Sequence, residues 1–176
     1  MAVNMLTQVA YHEAAHAVLD LLFDFPFTRV CVHEFGGEEV DDEKRTTDAG
    51  IAADVEYAQF VALSQGDTSQ LACARIRAEE WLMTILGGEA AAWNLTGERP
   101  HLDSTDYSDY HRALALARLL FMECTEETHE AFLWWLTLRA KDLIADHWEP
   151  VERIASLVIE KGEVTFDECC AIFTPQ

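Results

Sequence analysis

Positive charge is what this chain is short of: twelve Lys and Arg stand against thirty-two Asp and Glu, a formal charge of -20 in 176 residues. Such a surface repels nucleic acid and anionic lipid, and both are excluded as partners, while solubility is its plain use. Also missing is any run of about eighteen uncharged apolar residues, so no segment is expected to span a membrane. The start, "MAVNMLTQVAYHEAAH", has no basic segment and no cleavage-site pattern, which excludes a secretory signal. There is no C-x-x-C pair among the five cysteines Cys31, Cys73, Cys124, Cys169 and Cys170. Most of them sit inside apolar patterns, which points to reduced core thiols in a cytoplasmic protein. Internal repeats, low-complexity tracts and long linkers are absent too, so residues 1–176 read as a single domain.

What is present is apolar periodicity, mostly helical. From Asn4, a good N-cap, apolar residues recur at helical spacing to about Phe23, and "DFPF" ends the run. "FTRVCVHEF" then alternates as a strand does, "GGEEVDDEKRTTD" is a charged loop, and "AGIAADVEYA" returns as a second strand. A small β-hairpin between the first and second helices is therefore expected. "LACARIRAEEWLMTILGGEAAAWNL" is helical, with Gly87 and Gly88 as a break or a point of close packing. Helices follow over "YSDYHRALALARLLFMEC" and "TEETHEAFLWWLTLRAKDLIADHW", and a further one stops at Gly162. In "TFDE", Thr165 and Glu168 form a capping box that opens a last short helix. The expected fold is mainly α, a helical domain with that one small hairpin. Trp134, Trp135 and Trp148 are assigned to core packing ahead of an interface.

One helix looks wrong for a core. "AYHEAAHAVLD" is apolar except for His12, Glu13 and His16. Two histidines four residues apart lie about 40° apart on one helix face, so their ring nitrogens can converge on one ion. Glu13, to the side of that face, would miss the ion and reach the attacking water as general base. H-E-x-x-H is the zinc-peptidase signature. The plain alternative is a pair of core histidines satisfied by carbonyls, with Glu13 in a salt bridge. Against it, burying two imidazoles and a carboxylate unpaired is costly, and one zinc per chain removes that cost.

Zinc of this kind needs a third protein ligand. The H-x-x-G-x-x-H continuation is excluded by Leu19 and Leu22, which stand where it requires glycine and histidine. Glu34, Glu38 and Glu39 fall in or beside the expected hairpin and are poor candidates. Better ones lie in "HLDSTDYSDYHRALALAR", where Asp103, Asp106, Asp109 and His111 all stand.

Here the chain resembles a known family. "HEAAHAVL", "LGGEAAAWNLTGE" and "SDYHRALALAR", in that order, are similar to successive motifs of the peptidase domain of the FtsH-type ATP-dependent zinc metalloproteases, and "WEPVERIASLVIEKGEVTFDECCAIF" is similar to its closing segment. The resemblance implies His12 and His16 as ligands, Glu13 as base and Asp109 as third ligand, with Asp106 as its rival. Ala15 replaces the glycine usual within the family's zinc motif. No G-x-x-x-x-G-K-[ST] phosphate loop occurs in the chain, so the family's unfolding engine is missing from it. The expected function is a zinc metallopeptidase that works without ATP on unfolded or flexible polypeptides, with room for a homo-oligomer or a delivery partner. The alternative is a non-catalytic zincin-like binding or regulatory module that keeps the metal site.

Overall fold

A computed structural model describes residues 4–32, 68–100, 108–121 and 124–173. The first helix, α1 (Met5–Phe23), begins where its sequence says it should: the Asn4 side chain accepts from the Thr7 amide at 2.7 Å. It ends at Asp24, which adopts a left-handed φ of 57° and donates its amide to the Asp20 carbonyl. Strand β1 (Arg29–Cys31) follows, then α2 (Thr68–Ile85), α3 (Gly87–Thr96), α4 (Asp109–Leu120), α5 (Glu126–Asp146) and α6 (Trp148–Lys161). Strand β2 (Glu163–Thr165) and α7 (Phe166–Phe173) close the chain. The chain is mainly α, with one small two-stranded antiparallel sheet among the described residues.

That sheet gives β1 a partner the sequence did not point to. β1 lies where "FTRVCVHEF" placed it, yet its described partner is β2, with Arg29 opposite Thr165, Val30 opposite Val164 and Cys31 opposite Glu163. The return strand expected in "AGIAADVEYA" lies outside the described residues. Val30 and Val164 are both buried, so this ladder ties the end of α1 to the C-terminal helices through an apolar pair.

The core forms around α1. Its Ala10, Ala14, Ala15 and Ala17 are buried, and such small side chains let other backbones approach closely. α3 and α6 pack along it, and α2 and α7 also touch it. Leu82, Met83 and Leu86 from the α2 side, Leu133 and Leu136 of α5, and Val151, Ile154 and Val158 of α6 complete one buried cluster. Arg77 of α2 locks the C-terminal end of α1: its guanidinium donates to the carbonyls of Phe23 and Asp24 and lies 3.7 Å from the Phe25 ring centroid.

The glycine pair does both things its sequence allowed. The helix breaks at Leu86, between α2 and α3, and both glycines are buried against α1. Gly162 caps α6 at φ 84°, and the Thr165–Glu168 capping box is present: the Thr165 amide donates to Glu168 Oε2 at 2.9 Å, and the Glu168 amide to Thr165 Oγ1 at 3.4 Å.

The cysteines differ from expectation. All five are free, but only Cys169 is buried, and Cys73 and Cys124 are exposed. Burial pushes the Cys169 thiol up to about 12, with the neighbouring Cys170 and Glu168 adding to it. Among the tryptophans, Trp134 and Trp148 are half-buried and stack on Trp93 and Tyr11, while Trp135 is exposed. Core packing describes Trp148 alone, since Trp134 packs on Trp93 and Arg99 outside the core cluster. No helix among the described residues is long and apolar enough to cross a membrane.

Candidate metal centre

Two elements bring the polar groups together. α1 presents His12 and His16 from successive turns, their ring centroids 4.8 Å apart and nearly perpendicular. α4 supplies Asp109 as its first residue, directly after the N-cap Ser108, whose hydroxyl accepts from the His111 amide at 3.2 Å. Asp109 thus sits at the positive end of a helix dipole, which favours its anion. Its Oδ2 lies 2.8 Å from His12 Nε2 and 3.1 Å from His16 Nε2. Its Oδ1 is 3.5 Å from Arg112 Nη1. The side chains of His12, His16 and Asp109 retain 26%, 10% and 20% of their exposure, so the cluster lies at the edge of the core with a side open to solvent.

The proton inventory of His16 is the informative part. Its Nδ1 lies 2.7 Å from the Thr84 carbonyl oxygen, which only accepts, so Nδ1 carries a proton. In a neutral ring the lone pair then belongs to Nε2, and it points at a carboxylate oxygen 3.1 Å away. Two acceptors facing each other repel. Either a second proton or a shared cation between them removes the conflict, and both His–carboxylate contacts then become attractive.

The cluster suits a cation on other grounds. Among the described residues, His12, His16 and Asp109 are the group whose ligand atoms converge, all within 4.8 Å of one another. Two imidazole nitrogens and a carboxylate oxygen are a donor set that zinc takes, and here both nitrogens lie within 3.1 Å of that oxygen. The bond from His16 Nδ1 to a main-chain carbonyl is the outer support that ligating histidines usually have, because it fixes the tautomer with Nε2 free to bind.

Charge is shared across the cluster. Burial opposes ionisation of Asp109, but the charge of His16 and the hydrogen bonds from His12 and His16 overcome it and hold the carboxyl well below the usual carboxylate range. Burial likewise works against a charged His12, and the hydrogen bond and charge of Asp109, helped by Glu13 and Glu89, push that imidazole above its ordinary value on balance. An electron-rich nest of this kind attracts protons when no metal is bound and competes for a dication when one is offered.

Of the residues expected from sequence, His12, His16 and Asp109 meet. Glu13, half-buried on α1, stands beside them, and its charge is felt at His12. His111 is not in the cluster: it lies two positions beyond Asp109, about 200° around the helix, so it leaves on another side. Asp103, Asp106, Glu34, Glu38 and Glu39 lie outside the described residues. Two supports were missed in the sequence. Arg112 had a signal, since three residues after Asp109 is a same-face spacing. The Thr84 carbonyl had none, because which main-chain oxygen faces His16 depends on how α2 crosses α1. The chain matches no family model and no curated protein.

Proposed function

We propose that this chain is a zinc metallopeptidase domain, holding one zinc through His12 Nε2, His16 Nε2 and a carboxylate oxygen of Asp109. The observation that carries the proposal is the meeting of two imidazole nitrogens with a carboxylate 93 residues away in sequence, beside a glutamate lying between the two histidines. The ordered likeness of "HEAAHAVL", "LGGEAAAWNLTGE" and "SDYHRALALAR" to the FtsH-type peptidase motifs supports the same assignment.

When bound, zinc supplies Lewis-acid polarisation of the scissile carbonyl and makes a water acidic enough to attack it at neutral pH. The chain's own groups do the rest. Glu13 accepts the proton of the attacking water and returns it to the departing amine nitrogen. Thr84 holds His16 in the tautomer that leaves Nε2 free, and Arg112 takes one oxygen of Asp109 so that the other faces the histidines. A structural zinc needs no base beside it, so Glu13 favours catalysis over a purely architectural site. The substrates we propose are unfolded or flexible polypeptides, in which a scissile bond can reach the centre without a folded domain being opened. Five free thiols suit a reducing compartment, and we assign the domain to the cytoplasm.

The test is a peptide-library digest read by mass spectrometry, with zinc-loaded wild type and Glu13→Gln in parallel. Wild type should cut without ATP, and Glu13→Gln, with zinc still bound, should be slower by about a hundred- to ten-thousand-fold. A zinc-loaded wild type that cuts nothing, or a mutant that cuts equally well, would leave the non-catalytic binding module as the better reading.

A further inference from the structure

The two glycines that open α3 face different neighbours. A methyl group on Gly87 would lie 2.8 Å from Leu19 Cδ1, the end of an apolar side chain. On Gly88 it would lie 2.2, 2.3 and 2.4 Å from Cε1, Nε2 and Nδ1 of His12. Carbon contacts settle near 3.5–4.0 Å, so the imidazole would have to retreat by at least about 1 Å. Backbone conformation does not explain the glycine: Gly88 lies in a helix, and among the described residues the glycines at positive φ are Gly97 and Gly162. Alanine would suit that helix better by propensity. The contact with His12 is what forbids it.

We propose that Gly88 is a positioning residue for the metal centre, its missing side chain letting the α3 backbone seat the His12 ring so that Nε2 is held toward Asp109. This rests on the zinc reading above. It also completes a division of labour. A hydrogen bond to the Thr84 carbonyl orients His16, whereas packing against α3 orients His12. The His12 side chain keeps 26% of its exposure, so a ring displaced by Gly88→Ala has solvent to swing into, and the loss falls on the site rather than on the core.

Zinc affinity by chelator competition should fall about 10- to 100-fold in Gly88→Ala, the usual cost of losing outer support, while the thermal midpoint of the metal-free protein stays near wild type. A metal-free readout separates this from the zinc reading. In wild type, Asp109→Asn should shift the His12 ring resonances in NMR spectra, and in the Gly88→Ala background it should not. Wild type without zinc affinity would sink the zinc reading and leave the NMR comparison to decide the positioning role. If Gly88→Ala lowers the midpoint steeply, removing the ring in the double variant His12→Ala/Gly88→Ala should restore it. Unchanged zinc affinity in Gly88→Ala, His12 resonances that still answer to Asp109→Asn, or a double variant as unstable as the single one would each overturn the proposal.

Discussion

Asp109 divides its carboxylate, one oxygen toward Arg112 and the other toward two histidines, and that division gathers three helix-borne side chains into a group that could hold a metal ion. At this scale the sequence was readable in proportion to how local each contact is. His12, Glu13 and His16 fall within one and a half turns of a single helix, so spacing alone placed them. Asp109 became visible only through the likeness of "SDYHRALALAR" to a ligand-bearing helix, with Asp106 left as rival. The exposure of Cys73 and Cys124 was not readable, because an apolar pattern does not say which of its members reach the surface. If Asp109 is the ligand, Asp109→Ala should weaken zinc binding by orders of magnitude in chelator competition, since two histidines alone leave an open, labile site. Asp106→Ala should leave it near wild type. Equal affinities in the two variants would mean the third ligand is another residue.

Among elements, the ends were more legible than the partners. Asn4, Gly162 and the Thr165–Glu168 box stand where their side-chain chemistry put them, because a cap is a contact between near neighbours. β1 was placed correctly, but alternation says nothing about which strand pairs with it, and β2 lies at the other end of the chain. The capping box has its own pH signature. Lys161 Nζ lies 2.6 Å from Glu168 Oε1 and, with the Thr165 amide and hydroxyl, takes the Glu168 carboxyl from an ordinary 4.5 to about 2. A carboxyl depressed by folding stabilises above its unfolded value, and that contribution is lost as pH falls through the folded one. The difference in thermal midpoint between wild type and Glu168→Gln should therefore be constant above about pH 4.5 and close between 4.5 and 2. Since the pair is exposed, added salt should narrow the difference. A gap undiminished between pH 4.5 and 2 would mean that the cap does not act through the carboxylate.

For the whole molecule, a metal held by the cluster would act as a clasp, whatever chemistry it also performs. α1 and α4 are far apart in sequence, and His12, His16 and Asp109 join them at the edge of the core, so an ion bound there stabilises the folded chain over the unfolded one. The charge of -20 adds a long-range attraction for a dication and a repulsion between copies of the chain. Uptake of the ion and the stabilisation it brings are read by one titration. Chelator-stripped wild type should take up one zinc per chain in calorimetry, and its thermal midpoint should rise as zinc exceeds the dissociation constant, with no such rise in Asp109→Ala. A stripped protein that takes up no zinc and melts unchanged at every zinc concentration would contradict the metal centre and, with it, the peptidase.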